Sequence, residues 1–232
     1  MGKVAAIIPA AGQGKRMGYD TNKQLLIIEN RPVLAHTLDT FQHCTQIDDI
    51  IVVAAPDEID IVRAEIVELY GFSKVSKVVA GGAQRQDSVR AGLAALDDSI
   101  EWVVVHDGAR PLLLHSDLVR IIEEAFRLGS VIAAVKVKDT IKQVDEAGRV
   151  VATPIRESLR AIQTPQVFRK DTLLKAHYAA VAEGFPGTDD ASLLERIGEP
   201  VICVEGNYEN IKITTREDLI LAARILQGRE TA

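Results

Sequence analysis

Cysteine is nearly absent. Cys44 and Cys203 are the only two in 232 residues, far apart and in apolar or mixed surroundings, so neither a disulfide framework nor a paired metal site is encoded. Both read as buried, reduced thiols, and the expected compartment is the cytoplasm. Long apolar runs are missing too: no stretch approaches the ~20 residues of a membrane-spanning helix. The apolar run at Val4 to Ile8 is too short for a signal-peptide core. Gly2 is not followed by Ser or Thr at position 6, as N-myristoylation needs. Excess positive charge is absent, the net charge being −6. That argues against a face for duplex nucleic acid while leaving room for local basic pockets. Repeats, low-complexity tracts and long linkers are absent as well.

Apolar residues make up 47% and charged residues 26% of the chain, an ordinary globular balance. A chain of this length buries a sizeable core without staples. Short runs that are apolar on consecutive positions suit parallel strands covered on both faces. They occur at Val4 to Ile8, Ile50 to Ala54, Val75 to Ala80, Trp102 to Val105, Val131 to Val135 and Val201 to Val204. Helical patterns lie between them. Val33 to Phe41 follows Pro32, a good first-turn residue. Glu58 to Tyr70 puts Ile59, Val62, Ile66 and Leu69 on one face, Asp87 to Leu96 opens on an acid, and Leu118 to Phe126 follows Ser116 and Asp117. Thr215 to Leu226 opens with Thr215 and Asp218 in capping-box spacing. This alternation predicts a single domain over residues 1–232, a three-layer α/β/α sandwich of Rossmann-like type with a mostly parallel sheet. The polar segment from Lys138 to Val151 breaks the rhythm. Two β-prone pieces flank Asp145-Glu-Ala-Gly148, a hairpin turn signal, and an arm at about 137–158 is expected to project, either for dimerisation or as a solvated excursion.

Chemistry concentrates after strand ends, where ligands of parallel sheets bind. The first strand runs into Pro9-Ala-Ala-Gly-Gln-Gly-Lys-Arg-Met-Gly18. Small residues let the backbone approach a ligand and point N–H groups at phosphate oxygens, and Lys15, Arg16 and Lys23 add positive charge. A glycine-rich turn with solvated cations is the plain alternative. Neither a P-loop nor a dinucleotide fingerprint is present: Gly-x4-Gly-Lys-Ser/Thr is missing, and Gly18 comes one position late after Gly12-Gln-Gly14. That spacing disfavours a dehydrogenase. Val105-His-Asp-Gly-Ala-Arg-Pro111 places an acid and an arginine at another strand end. Asp107 suits a hydroxylated substrate or a phosphate-bound Mg2+. Arg110 suits a phosphate or, equally, an internal pair with Asp107. His106 reads as structural, and His36, His43, His115 and His177 as surface or packing residues. Gly81-Gly-Ala-Gln-Arg-Gln-Asp-Ser88 is a third turn, fit for a base or ribose, with Ser88 able simply to satisfy local backbone. Lys212, between Ile211 and Ile213, faces either solvent or a site.

Together these clusters resemble the 2-C-methyl-D-erythritol 4-phosphate cytidylyltransferase family of the non-mevalonate isoprenoid pathway, over nearly the whole chain. The matching pieces are Pro9-Ala-Ala-Gly-x-Gly-x-Arg-Met-Gly, Lys23-Gln, Gly81-Gly…Arg85-x-Asp-Ser-Val, His106-Asp-x-Ala-Arg-Pro, Asp139-Thr-Ile-Lys, Thr164-Pro-Gln, Thr188-Asp-Asp-Ala-Ser and Asn210-Ile-Lys-Ile-Thr. The resemblance implies transfer of CMP from CTP to methylerythritol phosphate with release of pyrophosphate. It implies Arg16 and Lys23 at the triphosphate and the charged transition state. Pro9, Ala10, Ala11, Gly12, Gly14, Gly82 and Ser88 would surround the cytidine nucleotide, and Asp107 would sit at the junction of nucleotide and sugar phosphate. Arg156 and Lys212 would position methylerythritol phosphate, with Arg110, Thr140 and Thr164 as further contacts. It also implies Mg2+ or another divalent cation, carried mainly by CTP phosphates, and a homodimer whose arms swap, so that Thr140 and Arg156 serve the neighbour's site. No nucleic-acid or membrane partner is implied. Gly108 stands where the family usually has Ala, and Ala83 where an acid is common, which leaves one base or ribose contact open. The attacking phosphate monoester, with a second pKa near ~6, needs no general base, which suits a site without a catalytic His, Ser or Cys. Two other functions remain beside this one: ribitol 5-phosphate cytidylyltransferase, which shares most motifs but tends to have Val before Arg110, and a non-catalytic nucleotide-binding module.

Overall fold

A computed structural model describes residues 2–12 and 22–230. Seven strands form one sheet: β1 (Lys3–Pro9), β4 (Asp49–Ala54), β5 (Val75–Ala80), β6 (Ile100–Val105), β7 (Val131–Lys136), β10 (Arg160–Arg169) and β11 (Ile202–Glu205). Their spatial order is β11-β7-β10-β6-β1-β4-β5. All neighbours pair in parallel except β10, which runs antiparallel to both β6 and β7. The remaining short strands form two ribbons, β2 (Ile27–Ile28) with β3 (Arg31–Pro32), and β8 (Gln143–Val144) with β9 (Val150–Ala152).

Alternate residues of the central strands feed two different cores, as expected of strands covered on both faces. Val4, Ala6 and Ile8 pack with Leu34, Leu38 and Phe41 of α1 (Val33–His43), and with Leu118, Ile121 and Ile122 of α4 (His115–Leu128). Ala5 and Ile7 pack instead with Val89 and Leu93 of α3 (Arg85–Ala95) and with Leu173 and Ala176 of α5 (Lys170–Glu183). Each large apolar side chain among these, taken wholly out of water, contributes about 2 kcal/mol. Gly92 lets α3 sit close: a Cβ there would lie 2.5 Å from Ile7 Cγ2. The short helix α6 (Asp190–Arg196) packs on α5. At one end, α7 (Arg216–Glu230) closes a third cluster against Ile28, Leu112 and Ile213. The expected three-layer sandwich is therefore present. No helix among the described residues is long and apolar enough to cross a membrane.

Several details differ from the expectations drawn from sequence. Val75 to Ala80 and Val201 to Val204 suggest buried strands, yet β5 and β11 are the two sheet edges and are largely exposed. Cys203 lies on the β11 edge and is exposed, whereas Cys44 is buried as expected. The helix over 58–70 begins as α2 (Ile59–Val62) but continues as a π-helical turn (Arg63–Glu68). The Leu69 N–H donates to Ala64 O, five residues back. That wider turn rotates Leu69 off the buried stripe, leaving it 70% exposed while Val62 and Ile66 stay buried. β10, α5 and α6 have no counterpart in the periodicity. The capping box of α7 forms as expected: the Thr215 N–H donates to Asp218 Oδ2 and the Asp218 N–H to Thr215 Oγ1. So does the turn in the arm, where Asp145 Oδ1 accepts the N–H groups of Ala147 and Arg149 and Gly148 takes φ +77°. No residue from Lys138 to Arg160 is buried, so this hairpin stands out from the body.

Candidate active site

After β1 the chain adds β4 and β5 on one side and β6 on the other, which creates the switch point where such sheets take ligands. Two loops leave it side by side, Pro9 to Gly12 from β1 and His106 to Pro111 from β6. The Gly108 N–H donates to Pro9 O at 3.0 Å, and the His106 N–H to Ile7 O at 3.0 Å. Space between them is tight: a Cβ on Gly108 would stand 3.1 Å from Pro9 O and 3.2 Å from Leu34 Cδ1. Glycine fits here without pushing either neighbour.

A cavity of about 660 Å³ opens between these loops and the turn at 81–88. Pro9, Ala11, Gly12, Gly82 and Ala83 give it a wall of small residues. Ala10 is buried beneath that wall, its N–H donating to Val53 O. A Cβ on Gly82 would meet Asp87 Cβ at 2.3 Å, so glycine lets the turn close onto α3. Ser88 takes both roles open to it. Its Oγ accepts the Gly82 N–H and donates to Gln84 O, and the residue also lines the cavity. Gly14 and Arg16 lie outside the described residues. Lys23 lines the cavity and is 8% exposed, its Nζ donating to Ile213 O at 2.9 Å. That bond ties the end of the basic loop to the segment at 210–214.

Asp107 is the point where the charges meet. Arg85 Nε donates to its Oδ1 at 3.1 Å, and Lys212 Nζ reaches its Oδ2 at 2.8 Å. Arg110 Nε stands 3.5 Å from the same Oδ2, a charge contact rather than a hydrogen bond, while its Nη1 donates to Asn210 O at 2.7 Å. Burial alone would push the Asp107 carboxyl up. Arg85, Lys212 and Arg110 outweigh it and hold the group well below the usual carboxylate range. Lys212 thus faces the site, not solvent, and Arg110 forms the internal pair that was one of its two readings. Asp190, 1% exposed, takes Arg85 Nη1 on its Oδ2 at 2.7 Å. Within the cluster itself, two carboxylates, Asp107 and Asp190, meet three cations, Arg85, Arg110 and Lys212, while Asp57, Asp189 and Glu195 also line the cavities.

A second cavity of about 510 Å³ lies beyond this node and shares Arg85, Asp107 and Lys212 with the first. Arg110, Thr164 and Gln166 help to line it. The structure therefore gathers Pro9, Ala11, Gly12, Lys23, Gly82, Ser88, Asp107, Arg110, Thr164 and Lys212 around two adjoining spaces. It does not bring Thr140 and Arg156 there. Both are exposed on the arm, line neither cavity, and Arg156 Nη1 donates to Lys138 O.

His106 is structural, as expected. It is fully buried, with its ring 5.2 Å from that of Phe41. Its Nε2 meets Arg110 O at 3.1 Å, so that nitrogen must carry the proton, because a carbonyl only accepts. Its Nδ1 then accepts from Thr164 Oγ1, which in turn accepts the Asp107 N–H at 3.0 Å. Burial drives the imidazole down to about 4, so it is neutral. This relay fixes the backbone beneath Asp107.

Sequence reasoning assigns no role to Arg85, Asp190, Asn22 or Gln166. Arg85 carries a signal: a cation in the first turn of a helix opposes the helix dipole and so calls for acidic partners. Asn22 Nδ2 donates to both Ala10 O and Glu58 Oε2, clamping the far end of the basic loop onto the end of β1. Nothing in its neighbours along the chain announces that.

A cavity walled by small residues at the switch point, joined through Asp107 and its cations to a second space, fits a nucleotide-dependent transferase. Comparison with known proteins is specific. The family model for 2-C-methyl-D-erythritol 4-phosphate cytidylyltransferase matches residues 4–228, and the chain belongs to that family. The enzyme of this name from Desulforamulus reducens is 48% identical over 229 residues, covering 99% of this chain and 98% of its own. That from Geotalea uraniireducens is 51% identical over 228 residues, covering 97% of each. The crystal structure of 4-diphosphocytidyl-2C-methyl-D-erythritol synthase from Anaerococcus prevotii superposes with a TM-score of 0.86 at 38% identity, over 97% of this chain and 96% of that one.

A neutral buried His106 makes stability depend on pH with a definite sign. The unfolded imidazole binds a proton below about 6.5, whereas the native one does so only near 4. Its contribution is therefore whole above pH 6.5 and declines as pH falls from 6.5 to 4, by up to about 3 kcal/mol. Urea unfolding across that window should show a steeper loss for the native protein than for His106→Gln. Parallel curves would mean that His106 is protonated in the fold.

Proposed function

We propose that this chain transfers CMP from CTP to 2-C-methyl-D-erythritol 4-phosphate, yielding 4-diphosphocytidyl-2-C-methyl-D-erythritol and pyrophosphate in isoprenoid precursor synthesis. Family membership over residues 4–228 supports the reaction. The observation that carries it to these residues is Asp107 with its three cations, set in the wall between a cavity lined by small residues and a second one that shares Arg85 and Lys212. The first cavity suits the nucleotide and the second the sugar phosphate. A phosphate oxygen of methylerythritol phosphate attacks the α-phosphorus of CTP, the new P–O bond forms opposite the breaking one, and pyrophosphate leaves with the electron pair. The attacking group is already largely dianionic at neutral pH, so the residues need only draw two anions together and stabilise charge on the five-coordinate phosphorus. Lys23 and Arg16 do this on the triphosphate side. Lys212 does it at the junction, and Gly82 and Ser88 face the cytidine.

A divalent cation, magnesium above all, belongs to this reading as the counter-ion of the triphosphate. No three His, Cys, Asp or Glu side chains cluster to hold one among the described residues, and both oxygens of Asp107 already face cations. In this reading the ion arrives with its nucleotide. The enzyme works in the cytoplasm, in keeping with a chain of only two cysteines. It works as a homodimer, with the arm reaching into the neighbour's site. In support, Ile141, Val144, Val150, Val151 and Ile155 lie 40–72% exposed along the arm, an apolar surface of the kind that partners cover. Thr140 and Arg156 would then complete the second cavity of the partner.

Pyrophosphate release is the direct test. It should appear with CTP and methylerythritol phosphate, and far more weakly with UTP, ATP or ribitol 5-phosphate. Arg16→Ala and Lys23→Ala should each lower turnover by about a hundredfold or more without unfolding the protein, and near-native turnover in either would remove its assigned role. Arm exchange has its own signature. Arg16→Ala and Arg156→Ala subunits, each inactive alone, should regain activity when unfolded and refolded together, because one site of the mixed dimer is intact. No recovery would place Arg156 in its own subunit's site.

A further inference from the structure

Arg85 is the cation of the cluster for which the proposed reaction has no use. It sits in the first turn of α3, at the positive end of the helix dipole, where a cation is disfavoured. Two carboxylates from distant parts of the chain claim it: Asp107 Oδ1 at 3.1 Å on Nε, and Asp190 Oδ2 at 2.7 Å on Nη1. The planar guanidinium is thus stretched between two acids, a span that a lysine ammonium cannot reproduce. Asp190 is fully buried at the start of α6, lines neither cavity, and reaches Asp107 only through Arg85. On the far side of Asp107, Oδ2 holds Lys212 at 2.8 Å. Fixing Oδ1 therefore fixes the carboxylate plane, and with it the place of the Lys212 ammonium in the wall shared by the two cavities.

We propose that Arg85 is a positioning residue, anchored by Asp190, that sets the rotation of the Asp107 carboxylate and thereby holds Lys212 where the two phosphates meet. This role rests on the site being one of phosphate transfer, as proposed. Misplacement by about 1 Å at a reacting centre can cost up to about a hundredfold in rate, which gives the scale of the effect. Without Arg85, the freed Oδ1 turns toward Arg110 and Lys212, drawing the ammonium away from the ligand.

Steady-state pyrophosphate release by Arg85→Gln, Arg85→Lys, Asp190→Asn and the Arg85→Gln/Asp190→Asn double variant tests this, on protein whose fold is confirmed by circular dichroism. Arg85→Gln should lower kcat by about tenfold to a hundredfold, with KM for CTP within about twofold of native. Asp190→Asn should lower kcat less, and the double variant should be no worse than Arg85→Gln alone, the non-additivity of residues acting in series. Arg85→Lys should recover only part of the loss. Native kcat in any folded Arg85→Gln or Asp190→Asn protein, or additive losses in the double variant, would overturn the proposal. Should Arg85→Gln fail to fold, Arg85→Lys and Asp190→Asn decide by the same criteria. Native protein inactive with this substrate pair would reject the functional reading instead. Crystal structures then still judge the positioning: Asp107 rotated and Lys212 displaced in the variant supports it, and both unmoved refutes it.

Discussion

Asp107 carries one carboxylate that three side chains from three separate stretches reach at once: Arg85 from the start of α3, Arg110 from its own loop, and Lys212 from the segment before α7. Much of the site geometry follows from keeping that group charged and out of water. Its backbone is fixed by Thr164 and His106 beneath it, and its Arg85 partner is fixed by Asp190. A buried ionic cluster of this kind adds little net stability, because desolvation offsets much of the attraction, whereas removing one member leaves an uncompensated charge. Its value lies in fixing where the cations stand.

The cations gathered around Asp107 suit the site to phosphate ligands. A sheet of apolar strands supplies the rigid floor, and the loops at its switch point carry glycine where backbones crowd, as at Gly82 and Gly108. Phosphate chemistry needs no proton taken from the nucleophile at neutral pH, so the buried His106 beneath Asp107 is free to serve as a strut. A neutral imidazole wedged under an ion cluster keeps the floor dry and adds no charge that would compete with the ligand.

Much of this is legible in the sequence, for physical reasons. Central strands carry long apolar runs, so β1, β4, β6 and β7 announce themselves; β11 has the same kind of run at an edge, whereas in β5 Ser76 and Lys77 interrupt it and are exposed. β10 stays hidden because Gln163, Thr164, Pro165 and Gln166 break its apolar pattern. Those polar side chains are buried because they serve the site, Gln163 binding Asn207 O and Gln166 binding Asp189. Local rules fail most readily where function overrides them. α5 stays hidden for a plainer reason: its buried stripe is Leu173, Ala176, His177 and Ala180, too small and mixed to stand out. Leu69 is misplaced by periodicity because a π-helical turn shifts the phase of a helix, and periodicity assumes a constant one. In the site, Asp107, Lys23 and Lys212 are legible from charge at strand ends and from family resemblance. The anchor Asp190 is not, because only the folded chain brings α6 to α3.

The charge on Asp107, rather than its shape, organises the site. Asp107→Asn keeps the shape and removes the charge. Measured by pyrophosphate release from CTP and methylerythritol phosphate on folded protein, its kcat/KM should fall by about a hundredfold or more. Turnover within a few-fold of native would contradict this, because it would mean that the three cations hold their places without a negative charge between them.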